Sequence, residues 1–207
     1  MSTTVKETNS GLDHLDIIIA DIDSLITNKH DFVAFIIIAL GIEFIGNFYD
    51  GDDFADFGQS DTRFKTGLTK FFKNNWYKNH SDWLFKNFRG PLIHQYRPSD
   101  TILLTSYCKN KASLKLHLTV VDGKTIFVLE QLFSDFKTAI KKLKNDLKKP
   151  SNSLNKEKIN GDFMAIINIH TSTEDKIFGE LIHIPESSGT TKYNPTMLKP
   201  KPNDKIN

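Results

Sequence analysis

Arg89 and His94 stand five positions apart in Phe85-Lys86-Asn87-Phe88-Arg89-Gly90-Pro91-Leu92-Ile93-His94-Gln95-Tyr96, directly after an aromatic helical stretch and among apolar residues able to hold both side chains. A guanidinium can clamp a phosphate bidentately, and an imidazole is the side chain best suited to move a proton near neutral pH. Together they make a kit suited to RNA. The plainer reading is that Arg89 binds a helix end or a buried carboxylate and that His94 is a satisfied packing residue. Glu43 bears on that choice. It is a carboxylate inside the most apolar stretch of the chain, where a charge needs a partner, and Arg89 or Arg63 is the natural one. If Glu43 neutralises Arg89, phosphate binding there weakens.

The elements that must position these residues are read from the wider pattern. The chain has 207 residues, 39% of them hydrophobic and 25% charged, with 16 Phe, which is enough for one sizeable globular domain. A net charge of +2 does not mark the whole molecule as a nucleic-acid binder, so any such role must come from local patches. The single Cys108 excludes an internal disulfide and a Cys-rich zinc site, and fits a reducing cytosol. No signal-peptide pattern opens the sequence. Its most apolar run, Phe32 to Ile42, is interrupted by Glu43 and falls short of the roughly 20 residues that span a bilayer. A cytoplasmic protein is expected, with no membrane partner and no DNA-specific signal.

The first half reads as helical. Leu12, Leu15, Ile18, Ile19, Ile22, Leu25 and Ile26 share one helical face opposite Asp13, Asp16, Asp21 and Asp23. A second helix, about Asp31 to Tyr49, is apolar nearly all round and is expected at the centre of a bundle, with Asp31 capping its start. A third begins near Asp61 and turns Phe64, Leu68, Phe71, Phe72 and Trp76 inward. After a turn at Asn79-His80-Ser81-Asp82, a fourth carries Trp83, Leu84, Phe85 and Phe88. Gly90-Pro91 is expected to break or kink it, with Pro91 starting a short helix that Pro98 closes. Arg89 would then sit at a helix entrance, where anions are favoured.

Beyond Pro98 the pattern changes. Thr101 to Tyr107 and Ser113 to Val121 are rich in β-formers, and Leu114, Leu116, Leu118 and Val120 alternate strictly. Val121-Asp122-Gly123-Lys124 supplies a tight turn before Thr125 to Leu129, so a β-hairpin is expected within 101–129. Glu130 to Lys149 reads as an amphipathic helix with Leu132, Phe133, Phe136, Ile140, Leu143 and Leu147 inward, and with Lys137, Lys141, Lys144 and Lys148 along another face. Residues 150–160 read as a polar linker. Residues 161–184 suggest a second hairpin from Phe163 to His170 and Ile177 to Ile184, and 185–207 read as a disordered tail. The fold class expected is α+β, mainly α: an antiparallel helical bundle over 10–149 with one or two β-hairpins.

An Arg, a spacer of four to six residues and a His on a helical bundle resembles the HEPN superfamily. The layout of Ile42-Glu43-Phe44-Ile45-Gly46, Arg63-Phe64 and Phe88 to Gln95 is similar to a group of bacterial proteins with HEPN-like bundles. The resemblance covers roughly Leu12 to Tyr96. It implies a homodimer whose two Arg–His sets face one cleft, and endoribonuclease activity with no metal or cofactor, in bacterial stress or phage defence. Arg89 would grip the scissile phosphate and His94 would transfer a proton as the ribose 2′-hydroxyl attacks. Glu43, Arg63, Gln95 and Tyr96 would support the pair. The Lys137, Lys141, Lys144 and Lys148 stripe, otherwise a solvated face, could steer RNA toward it. One position departs from the pattern. Active members carry a polar residue directly after the Arg, where this chain has Gly90 followed by Pro91.

The alternative expectation is a non-catalytic interaction module with a protein partner, in which Arg89 and His94 are structural. The two separate on geometry: a nuclease exposes both residues in a basic cleft, whereas a module buries them with Arg89 paired to Glu43. Binding of a small nucleotide in the same cleft is a third reading. The acidic stretch Asp50 to Asp61 invites a calcium reading but puts Phe54 and Ala55 where an EF-hand needs an oxygen ligand and a Gly. A solvated acidic loop, with Phe54 and Phe57 free to dock on a partner, explains it better. His170 and His183 lack the Cys or carboxylates that would make a metal site, and no metal is expected. No Gly-rich phosphate loop, nucleophile elbow, zinc-protease motif or dinucleotide fingerprint is present.

Overall fold

A computed structural model describes residues 2–6, 11–52, 58–107, 115–149, 153–159 and 166–170. Residues 3–169 form one compact unit; of a second unit, made of residues 1–2 and 170–207, only Ser2 and His170 are among the described residues. The elements in chain order begin with β1 (Ser2–Lys6) and α1 (Gly11–Thr27). Helix α1 buries Leu15 and Ile22, seven apart on one face, and leaves Asp16, Asp21 and Asp23 in water. It ends in a Schellman motif: Lys29 adopts a left-handed conformation (φ 62°), the Lys29 amide donates to the Ile26 carbonyl, and the His30 amide donates to that of Leu25.

Helix α2 (Asp31–Gly46) is the centre of the bundle, with Ala34, Phe35, Ile38, Ala39, Ile42 and Ile45 fully enclosed. Asp31 is its first residue rather than its cap, and its carboxylate accepts a hydrogen bond from the Ser106 hydroxyl at 2.7 Å. Among the described residues, one helical stretch, Asp31–Tyr49, is long and apolar enough to cross a bilayer by length and composition, with a mean hydropathy of 2.0. That differs from the shorter run read in the sequence because Glu43 does not interrupt the helix. The window is 56% buried against the rest of the protein, as befits a bundle core.

Helix α3 (Ser60–Phe71) crosses α2 at backbone contact: a Cβ on Gly46 would lie 1.8 Å from the Arg63 carbonyl oxygen, and one on Gly67 would lie 2.1 Å from that of Ile42. The chain then turns extended at Phe72, and Asn74 caps α4 (Asn75–Asn79) by accepting from the Trp76 amide at 2.9 Å.

The fourth helical run is not broken at Gly90-Pro91. Helix α5 (Ser81–Leu84) continues through a π-turn (Phe85–Arg89) into α6 (Gly90–Gln95), with the Gly90 amide donating to the Phe85 carbonyl. A proline in a regular helix removes one donor and clashes with the carbonyl four residues back, which here belongs to Asn87. The extra residue of the π-turn accommodates the ring, and the Ser99 amide donates to the Asn87 carbonyl at 3.0 Å in place of the missing N–H. Gly90 permits the tight approach, since a Cβ there would sit 3.2 Å from the Phe85 oxygen. Consequently Arg89 is in the middle of a helical run and does not stand at a helix entrance. The run ends at Tyr96, before Pro98, with Tyr96 left-handed at φ 53°.

A three-stranded sheet follows, made of β2 (Ile102–Thr105), β3 (Val120–Val121) and β4 (Lys124–Val128), with β4 in the middle. Strand β2 runs parallel to β4, Ile102 opposite Thr125 and Thr105 opposite Val128. Strand β3 runs antiparallel to β4 across Asp122-Gly123, both left-handed (φ 49° and 75°) as a type I′ turn requires. The strand expected over Ser113–Val121 therefore shrinks to two residues. Lys115 to Leu118 instead form a turn in which Leu118 is left-handed (φ 65°), and Cys108 to Leu114 lie outside the described residues.

Helix α7 (Leu129–Leu147) buries Leu132, Phe133, Phe136, Ile140, Leu143 and Leu147, the inward face read from its periodicity. The described part of the expected linker is not free chain. Leu154 is buried, the Asn155 amide donates to the Phe48 carbonyl at 2.8 Å, and the Lys158 ammonium bonds Asp50 at 2.5 Å and also the carbonyl and side chain of Asn47. Strand β5 (Ile166–His170) pairs with β1 in a two-stranded sheet. Its expected partner, Ile177 to Ile184, lies outside the described residues, as do His183, Phe54, Phe57 and the expected tail. The architecture is mainly helical α+β.

Candidate functional site

Arg89 is buried, 8% exposed. Its Nη2 lies 2.6 Å and its Nε 2.8 Å from Oε2 of Glu43; Nη2 also donates to the Ser60 hydroxyl at 3.4 Å, and the guanidinium lies over the Phe85 ring at 5.6 Å. The α2 carboxylate thus has Arg89 for its partner, while Arg63 is taken by Asp50 at 2.7 Å. His94 is exposed on the last turn of α6, followed by exposed Gln95 and Tyr96. The separation is geometric. Residues five apart on an α-helix differ by about 140° around its axis, so one of the pair faces α2 and the other faces water.

The lysine stripe on α7 divides as well. Lys144 turns toward α1 and pairs with Asp16 at 2.5 Å, Lys137 lies over the Phe133 ring at 4.3 Å, and Lys148 is exposed. Only Lys141 of the four lines a groove of about 480 Å³ between α3–α4 and α7. One wall carries Lys70, Lys73 and Lys78; the other carries Lys141, Lys142 and Lys149, with Thr138 and Asn145. Phe71 and Phe72 form the floor. Among the described residues six lysines line the groove with one carboxylate, Asp146, which Lys142 (2.6 Å) and Lys149 (3.0 Å) share, while the Lys70 ammonium lies over the Tyr49 ring at 5.3 Å. The Lys142 hydrogen bond, seconded by Lys149, holds that carboxyl below the ordinary aspartate range. Among the described residues Lys70, Lys73, Lys78 and Lys141 have no ion-pair partner. Taken singly, each lysine is the usual decoration of a helix end or an exposed face. Convergence from two walls makes the groove a candidate anion site. Sequence reading missed Lys70, Lys73, Lys78, Lys142 and Lys149 because their spacing spans three elements.

A second polar cluster also escaped the sequence. The Val128 amide donates to Nδ1 of His117 at 3.0 Å, which places the imidazole proton on Nε2; Nε2 meets the Tyr77 hydroxyl at 2.8 Å, and that hydroxyl donates to Asp135 at 2.7 Å. The chain of bonds ties the 115–118 turn to α4 and α7. Burial pulls the His117 pKa down to about 4, pushes the Tyr77 hydroxyl well up, and raises Asp135 against the lowering bond from Tyr77. Because the folded imidazole resists the proton that the unfolded one accepts near 6.5, the His117 contribution is complete above that pH. It falls away as pH drops toward 4, by about 3 kcal/mol in all. The raised Asp135 acts in the opposite sense over its own part of that window. The expected result is a urea midpoint that drops between pH 7 and pH 4.5, with a flatter profile in His117→Gln; parallel profiles would disprove the role of His117.

Among the described residues, no group of three or more His, Cys, Asp or Glu side chains is arranged to hold a metal. No family model, curated protein or solved structure matches this chain. Fold and site together define a mainly helical α+β protein with a basic groove, in which a buried Arg–Glu pair anchors the π-turn of the fourth helical run.

Proposed function

We propose that this chain is a non-catalytic RNA-binding protein built on a HEPN-like bundle, with the lysine groove as its phosphate-binding surface and Arg89 as a structural residue. The observation that carries the reading is the convergence of six lysines, four of them without an ion-pair partner among the described residues, on one concave surface. Lysines in such numbers supply the sequence-independent, salt-sensitive share of nucleic-acid affinity. The Arg89–Glu43 bond favours the structural role, because a guanidinium shared between a carboxylate and a hydroxyl in the interior offers no open fork to a phosphate. Assembly of two copies through the bundle belongs to the same proposal, and light scattering tests it. Val33 and Leu40, seven apart on α2 and exposed, are the apolar positions such an interface would use.

The test is binding and cleavage of a labelled RNA pool in EDTA by wild type, Lys73→Glu/Lys141→Glu, Arg89→Ala and His94→Ala. Wild type is expected to bind RNA and leave it intact, and the double charge reversal to weaken binding at least about tenfold at low salt. Cleavage by wild type that disappears in both folded single variants would replace this proposal with the endoribonuclease reading.

A further inference from the structure

The groove's lining also constrains what kind of nucleic acid it takes, an inference that rests on the RNA-binding reading above. We infer that the groove grips a single strand by its sugar–phosphate backbone and is blind to base identity and to the sugar. Its volume of about 480 Å³ falls in the range of about 300–1,000 Å³ that encloses a drug-sized ligand, the size of one or two nucleotides. A single strand lying in it is flanked by lysines on both walls. A duplex, two strands wound together, can only lie over the rim.

Reading base identity on a single strand starts from bases splayed out and stacked on exposed aromatic faces, where their edges can be hydrogen-bonded. Among the described residues the groove has none to offer. Phe71 and Phe72 are 1% and 2% exposed, with their rings against Tyr49 (5.5 Å) and Tyr77 (4.8 Å). The Lys142 ammonium further covers the Phe71 ring at 5.3 Å. Telling RNA from DNA requires partners for the 2′-hydroxyl. Among the described lining residues the uncharged polar groups are Thr138 and Asn145, and Thr138 already donates its hydrogen to the Ser134 carbonyl at 3.0 Å. One amide among six ammonium groups gives the sugar little weight.

The experiment is fluorescence anisotropy with labelled oligo(U), oligo(A) and oligo(dT) of equal length and an RNA duplex, on wild type, Lys73→Glu/Lys141→Glu and Lys137→Glu. All the substituted lysines are exposed, and thermal melts confirm that each variant is folded. The three single strands are expected to bind within about threefold of one another and the duplex at least about tenfold more weakly. With four lysines that have no ion-pair partner among the described residues to neutralise phosphates, the slope of log affinity against log salt is expected near about −3. Lys73→Glu/Lys141→Glu should weaken single-strand binding at least about tenfold at low salt, and Lys137→Glu should leave it unchanged. A tenfold preference for one base or for RNA over oligo(dT), equal duplex binding, or indifference to the double reversal overturns this inference while RNA binding stands. Displacement of every oligonucleotide by equimolar tripolyphosphate would also overturn it, identifying a free polyphosphate as the ligand. Failure of all four oligonucleotides to bind at low salt removes the RNA-binding reading itself.

Discussion

Arg89→Ala is expected to cost about 3–5 kcal/mol of folding stability, the range for breaking a buried ion pair from one side. The partner left behind is Glu43, whose side chain is only 18% exposed, on a helix whose other positions are almost all apolar. Its carboxylate would lose both guanidinium bonds with little solvent within reach to replace them. The Phe85 ring loses its covering cation at the same time. Glu43→Leu combined with Arg89→Met removes both charges and keeps the volume, so it should recover most of the loss. Urea unfolding of the two single variants and the double variant closes the cycle. A strong coupling energy marks a structural pair. If Arg89→Ala unfolds within about 0.5 kcal/mol of wild type, as an ordinary surface substitution does, the bond to Glu43 contributes nothing and Arg89 is available for chemistry. This measurement bears on function without needing a substrate.

The sequence made that pairing legible but not the groove. Glu43 declares itself because a charge inside an all-apolar helix demands a counter-ion, and only a few cations are candidates. The inward faces of α1 and α7 are readable for a related reason, since each repeats its apolar residues at the helical period over four or more turns, whereas α2 is apolar nearly all round and its sequence marks only its central place. Failures occurred where a distant residue supplied what a local rule found missing. Gly90-Pro91 looked like a break because the donor to Asn87 is lost locally, yet the Ser99 amide supplies it from the next loop. The alternation of Leu114, Leu116, Leu118 and Val120 looked like a strand. The chain instead spends Lys115 to Leu118 on a turn that puts His117 against Tyr77, and β4 finds its longer partner in β2. The 150–160 stretch is polar enough to pass for a linker, but Lys158 is one of two cations buried against Asp50. The groove draws its lysines from the end of α3, the following turn, α4 and α7, and no one-dimensional spacing connects them. The α7 stripe had the right periodicity and the wrong neighbours, since Lys144 faces α1.

Gly67→Ala is expected to destabilise the protein by at least about 2–3 kcal/mol, although the same change in an exposed helix would stabilise it by roughly 0.5–1 kcal/mol. The sign is decided by what the new methyl meets. It would lie 2.1 Å from the Ile42 carbonyl oxygen and 3.1 Å from both its carbonyl carbon and its Cγ2, so a rotamer change cannot clear the contact. Helices α2 and α3 would have to separate at their closest crossing. Gly46→Ala meets the same obstacle from the other side, 1.8 Å from the Arg63 carbonyl. Gly51, with nothing within 4 Å of a Cβ, is the control, and Gly51→Ala should be neutral or slightly stabilising. Thermal melts of the three variants separate a tight crossing from a general intolerance of alanine, and a wild-type melt for Gly67→Ala would refute the crossing. The consequence extends to the groove. Lys70 and Lys73 belong to the last turn of α3 and the residues after it, so a displaced α3 moves one wall against the lysines of α7. A Gly67→Ala protein that remains folded should therefore lose single-strand affinity while keeping every charge, which would show that the site depends on where the crossing holds its lysines as well as on their number.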